Sequence, residues 1–285
     1  MSPGMLIQKQ NPDGGWPYVR GKSWTEPTVY AVLALLAAGD QRPAGPALAW
    51  LRSIQRPDGG WPPQADVDES TWVTGLVALL PPERLGPAYH ERAVRWLLRL
   101  SGEESTTVYR LREWLLGFRR APAMEHAGWP WVPGSASWVA PSAVALIALQ
   151  KAFRRNPSAA LRERIETGRR FLLSRTCPQG GWNHGGVPDL GPQARAYPEV
   201  TGMALTALRG VSSPKIARAL DLARGFLAEC RSADGLNWLR LGLAAHGGLP
   251  HGYCPPREVA YRTLPEISLE YLASSGDKGA EAFWG

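Results

Sequence analysis

The sequence predicts an all-α fold: an α/α toroid, a barrel of about five to six helical hairpins with inner and outer helix rings, as one domain over residues 1–285. Three observations predict it. A Gly-Gly-Trp turn recurs along the chain, and repetition at a fixed period marks stacked supersecondary units. Each copy leads into a helix that is apolar nearly all round, and such a helix must be buried. Amphipathic, basic stretches alternate with those helices. No pattern of period two persists to indicate a sheet.

The turns come first. Gln10-Asn-Pro-Asp-Gly-Gly-Trp16 recurs as Gln55-Arg-Pro-Asp-Gly-Gly-Trp61, with the tryptophans 45 residues apart. Cys177-Pro-Gln-Gly-Gly-Trp182 is a partial copy. Gly128-Trp129-Pro130-Trp131 and Ala233-Asp-Gly-Leu-Asn-Trp238 read as degenerate ones.

The inner helices follow. Glu26-Pro27-Thr28 leads into VYAVLALLAAG, and Glu69-Ser70-Thr71 into WVTGLVALL. Ala140-Pro141-Ser142 leads into AVALIALQKA, and Pro198-Glu199-Val200-Thr201 into GMALTAL. Proline suits a first helical turn, Ser or Thr can cap it, and an acid complements the dipole. Residues 44–56, 84–100, 158–175 and 213–231 are the basic, amphipathic partners of the outer ring.

Closure is predicted from the ends. The chain starts inside a repeat, with no outer helix before Gln10. Leu264–Ser274 has no obvious partner, so it is expected to pack beside the first inner helix and close the ring. Residues 105–118 read as a further inner helix that no Trp turn precedes. An open solenoid of hairpins is the alternative.

Composition bounds the function. The 285 residues are 44% hydrophobic and 20% charged, enough for a sizeable core. The formal charge is +7, and part of the excess lies on outer helices, at Arg162, Arg164, Arg169, Arg170, Arg218 and Arg224. It suits anionic headgroups or a diphosphate, or only a solvated helix face. Aromatic residues do not interleave with the basic ones, so no nucleic-acid partner is expected. Cys177, Cys230 and Cys254 are widely spaced and odd in number, which argues against a disulfide framework. The N-terminus lacks a signal-peptide core and no stretch is long and apolar enough to span a bilayer. A cytoplasmic protein is expected, with peripheral membrane contact left open. Oligomeric state is not legible.

The Gln-x-x-Asp-Gly-Gly-Trp turn resembles the QW motif of squalene–hopene and oxidosqualene cyclases. That repeat family, the prenyltransferase/squalene-oxidase family, includes class II terpene cyclases and protein prenyltransferase β subunits. The resemblance implies an α/α barrel in which the Trp stacks at the end of an outer helix and the Gln ties neighbouring helix ends. Triterpene cyclases of this family carry two barrels, and this chain looks like one.

The resemblance also implies an acid. Asp66-Val67-Asp68-Glu69 is similar to the Asp-x-Asp-Asp motif of class II cyclases. By that likeness Asp68 protonates the substrate, with Asp66 and Glu69 beside it. Clustered carboxyls can hold one proton-bearing member. Two departures stand against it: Glu in last place, and Ser70 and Thr71 before the helix. Aligning the helices instead puts Ser70 opposite Glu26 and Glu199. Glu26, Glu69, Glu104 and Glu199 fall at or near inner-helix starts, where a closed toroid gathers them into one ring of acids. Such a ring could share protons, bind a cation, or serve only as helix-start charges.

Trp24, Tyr30, Trp72, Trp131, Trp138 and Tyr197 also lie at those starts. Aromatic faces stabilise cations by about 1–2 kcal/mol each when desolvated, so they are candidate substrate-binding residues. His251 with Cys254 and Cys177 with His184 do not match the zinc-ligand spacing of prenyltransferases. No metal or other cofactor is expected, and no phosphate loop or dinucleotide fingerprint is present. The expected function is proton-initiated cyclisation or isomerisation of an isoprenoid, or of another apolar small molecule, in an aromatic-lined cavity. The alternative is a non-catalytic toroid that holds a lipid or a protein.

Overall fold

A computed structural model describes residues 4–40, 42–116, 126–185 and 195–285. The repeated turn explains the local fold. Gln10 Nε2 donates to Gly14 O inside the turn and to Pro43 O ahead of the next outer helix, both at 2.8 Å. Gln55 Nε2 donates likewise to Gly59 O and Tyr89 O, both at 3.0 Å. Asp13 and Asp58 each accept from the second glycine N–H and from a serine hydroxyl, Ser23 and Ser70 respectively. The first glycines, Gly14 and Gly59, have φ of +94° and +95°, and an added Cβ would lie 2.6 Å and 2.8 Å from backbone atoms of Pro46 and Arg92. Only glycine fits there.

The tryptophans join the two rings. The indole N–H groups of Trp16, Trp61, Trp129 and Trp182 donate to the carbonyls of Leu6, Leu51, Leu97 and Leu172 at 2.6–2.9 Å. Those carbonyls belong to helix ends that lack partners of their own. The backbone N–H groups of the same tryptophans donate to the hydroxyls of Thr28, Thr74, Ser142 and Thr201, at the starts of inner helices.

In chain order, α1 (Gly4–Gln8) precedes α2 (Thr25–Ala37) and α3 (Ala44–Ser53). Then come α4 (Val73–Val77), α5 (Pro82–Leu85), α6 (Pro87–Arg99), a 3-10 turn at Glu103–Ser105, and α7 (Thr107–Leu115). An antiparallel ribbon of β1 (Trp129–Pro130) and β2 (Ser137–Trp138) leads into α8 (Val139–Arg155) and α9 (Ala159–Ser174). The rest is α10 (Pro198–Ala207), α11 (Pro214–Glu229), α12 (Ala233–Ala244), α13 (Leu264–Ser274) and α14 (Asp277–Trp284).

The inner ring runs α2, α4, α8, α10, α12, α13 and back to α2, each packed on the next. The outer helices α3, α6, α9 and α11 pack against it. This is the expected α/α toroid, with six inner helices among the described residues. Thr25 and Pro27 to Leu35 of α2 are all buried, as are Val139 to Leu149 of α8, which is why these helices show no polar face. Leu264–Ser274 closes the ring against α2, as expected.

Three expectations are corrected. An outer-helix end does precede Gln10: α1 offers Leu6 O to Trp16 as α3 offers Leu51 O to Trp61. Residues 233–238 are not a turn but the start of inner helix α12. Residues 105–118 do not form an inner helix: α7 leaves Val108, Leu111, Trp114 and Leu115 exposed, while residues 117 and 118 lie outside the described ones. Among the described residues no helix is long and apolar enough to cross a membrane.

Candidate active site

The N-terminal ends of the inner helices form one rim of the toroid. Glu26, Glu199 and Asp234 are the second residues of α2, α10 and α12, and Glu266 is the third of α13. These four helices are consecutive in the ring, so the acids share one side of the rim. Indoles take the other side. Trp72 and Trp138 precede α4 and α8, and Trp131 meets Trp72 edge-on at 4.9 Å.

A first-turn acid complements the helix dipole, which explains the choice of residue. Glu266 is fully used that way. Its Oε2 accepts from Arg262 N and Thr263 N, and Thr263 caps Glu266 N in return. Asp234 is different. Burial, and then the negative charges of Glu26, Glu199 and Glu266, push its carboxyl up to about 7, against a pull from its hydrogen bond with Trp238. Burial raises Glu26 too, while the Tyr18 hydroxyl donates to Glu26 Oε2 and opposes the rise. Burial and Glu26 hold the Tyr18 phenol well above its usual range. Both residues are half-buried.

An aromatic column stands beneath them. Tyr30 is buried and meets Trp238 edge-on at 6.4 Å, and Trp238 meets Phe283 of α14 at 5.5 Å. Burial, and then the charges of Glu26 and Asp234, hold the Tyr30 phenol well above its usual range, and Tyr30 and Trp238 each lie one helical turn below those acids. Trp24 leans on Tyr18 at 5.5 Å, and Tyr197 is exposed beside His184 at 5.2 Å. A carboxyl that keeps its proton near neutrality is a general acid, and these rings can meet a cation with their faces.

The structure brings Glu26 and Glu199 together as the sequence expected. It does not bring in Asp66, Asp68 or Glu69, all three of which are exposed. Lys22 pairs with Asp66 at 2.7 Å and holds its carboxyl below the usual range, and Arg56 pairs with Asp68. The alignment through Ser70 is corrected as well. Trp61 N meets Thr74 as Trp16 N meets Thr28, so Trp72 occupies the place of Glu26, while Ser70 matches Ser23. Glu104 is buried and accepts from Ser137 N at 3.1 and 3.2 Å, which anchors the β ribbon.

Sequence reasoning missed Asp234, Glu266, Tyr18 and Trp238. For the two acids the signal was positional: an acid two or three residues into α2, α10, α12 and α13. Among the described residues no three His, Cys, Asp or Glu side chains converge as a metal-binding group.

No family model matches the chain, and no curated protein matches it. Solved structures do. Endo-β-1,4-glucanase CMCax from Acetobacter xylinum aligns with a TM-score of 0.60 and 14% identity over 97% of this chain and 98% of that one. A GH8 endo-β-1,4-glucanase from an Achatina fulica gut metagenomic library gives 0.59 and 14%, over 96% and 97%. The type II terpene cyclase MstE from Scytonema gives 0.54 and 16%, over 93% of this chain and 75% of that one. At such identities the likeness is one of fold, and the chain has the α/α toroid fold that a type II terpene cyclase and endo-glucanases share.

Proposed function

We propose that this chain, read as one α/α-barrel domain over 1–285, is an acid-catalysing enzyme with Asp234 as proton donor. Its substrate is an isoprenoid or similar apolar molecule at the rim, cyclised or isomerised after protonation. One arrangement supports this reading: Asp234, whose carboxyl is raised to about 7 by burial and then by the charges of Glu26, Glu199 and Glu266, starts α12 one helical turn from Trp238, which meets Tyr30 of α2 edge-on. Glu26, bonded to Tyr18, is the neighbouring base, and Glu199 adds charge that keeps the Asp234 proton in place. Trp24, Trp72, Trp131, Trp138 and Tyr197 form the wall that meets a developing cation. In this reading substrate sits at the rim, above the packed contact of Phe283 with Trp238. Asp66, Asp68 and Glu69 have no part in this chemistry.

A second reading rests on the number of rim acids. Besides Glu266, which caps α13, three carboxyls remain at the rim, Glu26, Glu199 and Asp234. Glycoside hydrolysis uses one carboxyl as acid and another as base or nucleophile, and the fold is shared with endo-β-1,4-glucanases.

The test is product analysis. Farnesyl and geranylgeranyl diphosphates, squalene, polyprenols and β-1,4-glucan are incubated with the wild type, Asp234→Asn and Glu26→Gln. A new cyclic or isomerised product, reduced about 100-fold or more in Asp234→Asn, is expected from loss of a general acid. Undiminished turnover in that variant sinks the assignment. Sugar release lost in the same variant selects the second reading. A folded wild type with no turnover and a copurifying unchanged lipid marks a binding module. Peripheral membrane contact belongs to the same proposal, supported by exposed Val108, Leu111, Trp114 and Leu115 on α7 beside Arg110 and Arg112. Presenting the isoprenoids in anionic vesicles tests it, since the protein then sediments with them.

A further inference from the structure

The opposite end of the ring carries a second, differently charged site. A cavity of about 380 Å³ lies where the last turn of α8, the middle of α9 and the end of α10 meet. Four arginines line it: Arg154, Arg162, Arg169 and Arg209. Phe153, Ile165 and Gln150 complete the apolar and amide part of the wall, and Glu166 is its single carboxylate.

That carboxylate is engaged elsewhere, with Glu166 Oε1 3.3 Å from Arg170 Nε. Glu163 lines an adjoining cavity with Arg162, and Glu83 lies 3.7 Å from Arg155. Among the described residues none of the four arginines has a carboxylate within ion-pair distance. They press on one another instead: burial, and then the charges of Arg209 and Arg169, hold Arg154 below the usual arginine range. Three of the four are oriented by an uncharged neighbour. Arg169 donates to Gln150 Oε1 at 3.0 Å, Arg162 lies over Phe153 and Arg209 over Trp284. The Arg169 Nε is buried without a hydrogen-bond partner. The complement of a helix C-terminus accounts for Arg154 in the last turn of α8. It suits Arg209 too, just past the C-cap of α10, but it does not account for Arg162 and Arg169 in the body of α9.

Like charges gathered without a counter-charge cost stability, and a guanidinium fork matches phosphate oxygens two at a time. The geometry points to an anion site: the cavity between α8, α9 and α10 takes a phosphate-class polyanion of small size, a diphosphate or a phosphate ester, held by Arg154, Arg162, Arg169 and Arg209. The site is independent of the rim acids. Glu199 and Arg209 lie at opposite ends of α10, which spans about 15 Å.

The test is isothermal titration of inorganic diphosphate into the full chain, with chloride and acetate as controls. Saturable one-to-one binding is expected, weakened at least tenfold in Arg154→Gln and in Arg209→Gln, and weaker at higher salt. Arg162→Gln, at an exposed position on α9, repeats the test without touching the inner ring. Arg218→Gln on α11 leaves binding unchanged. Because the arginines repel one another, ligand-free Arg154→Gln melts no lower than the wild type. No saturable binding, or binding equally strong in all variants, overturns the site and leaves only diffuse attraction to a basic surface. Neither result bears on the proton-donor assignment, which is read by Asp234→Asn.

Discussion

Asp234 and Glu26 stand where helix geometry favours a charged carboxylate, yet both are raised. The dipole is worth about 0.3–1 kcal/mol near a helix end, and burial beside further carboxylates outweighs it. The consequence for stability has a definite sign. Asp234 holds its proton to about pH 7 in the folded chain and loses it near pH 4 when unfolded. Its contribution is therefore full below about pH 4 and is lost as pH rises to about 7. Asp234→Asn is expected to melt higher than the wild type at pH 8, by up to a few kcal/mol of stability, with the gain vanishing toward pH 4. Thermal melts at both pH values check this, and equal melting throughout would falsify the protonated carboxyl. Legibility at this scale was uneven for a physical reason. Glu26 and Glu199 were readable because they repeat at one place in a repeated unit. The run from Asp66 to Glu69 resembles a catalytic motif, but residue order does not report desolvation, and Lys22 and Arg56 hold Asp66 and Asp68 in solvent. Asp234 was hidden because Gly235 and Trp238 make a helix start look like another Gly-Trp turn.

Inner and outer helices were told apart by their faces, and that distinction held for α2, α8, α9, α10 and α11. It failed at α7. The apolar spacing in residues 105–118 is that of a buried stripe, and spacing alone does not say whether anything covers it. The five-residue α1 is too short to leave a period. The tightest helix pair, α10 with α12, depends on residues without side chains. A Cβ on Gly202 would lie 2.2 Å from the Trp238 carbonyl carbon, and one on Gly242 would lie 2.6 Å from Gly202 O. Glycine costs a helix about 1 kcal/mol relative to alanine, so each is tolerated for the approach it allows. That approach also sets Glu199 beside Asp234, one turn nearer the rim. Gly202→Ala gains helix propensity but overpacks a backbone contact, a change that costs about 1–3 kcal/mol. A net loss of stability is expected in denaturant titration, together with a fall in the apparent pKa of the rim acid as Glu199 moves away. A stabilised variant would show that the two helices have room to spare.

Across the whole molecule, closure and filling come from the last two helices. The seam of α12 with α13 is fixed by a buried pair, Arg240 with Glu270 at 2.5 Å, and Ser274 bonds to both. Beyond it α14 packs on α13, α2 and α8 and sends Phe283 against Trp238. Its approach needs Gly279, whose Cβ would lie 1.8 Å from Leu272 O. Lys151 ties this arrangement together: its Nζ donates to Leu79 O behind α4 at 2.9 Å and to Ala282 O of α14 at 2.7 Å. Burial, and then the charge of Arg155, bring its amine down to about 7, with Arg154 adding to the drop while Glu83 and Glu281 oppose it. A neutral amine still has two N–H groups for the two carbonyls, so the tie survives deprotonation. Unfolded, the same amine keeps its proton to about pH 10. The folded chain therefore binds fewer protons between about 7 and 10, and Lys151 makes stability rise with pH through that window. Its sign is opposite to that of Asp234 and it acts at higher pH, so the two residues separate in one pH series. Lys151→Met removes the alkaline rise and leaves two carbonyls unpaired, at about 1–3 kcal/mol. Hydrogen exchange in 277–284 is then expected to quicken while the acid-side behaviour set by Asp234 stays as it was. An alkaline rise undiminished in Lys151→Met, with α14 exchanging as before, would show that another group holds the closed end of the ring.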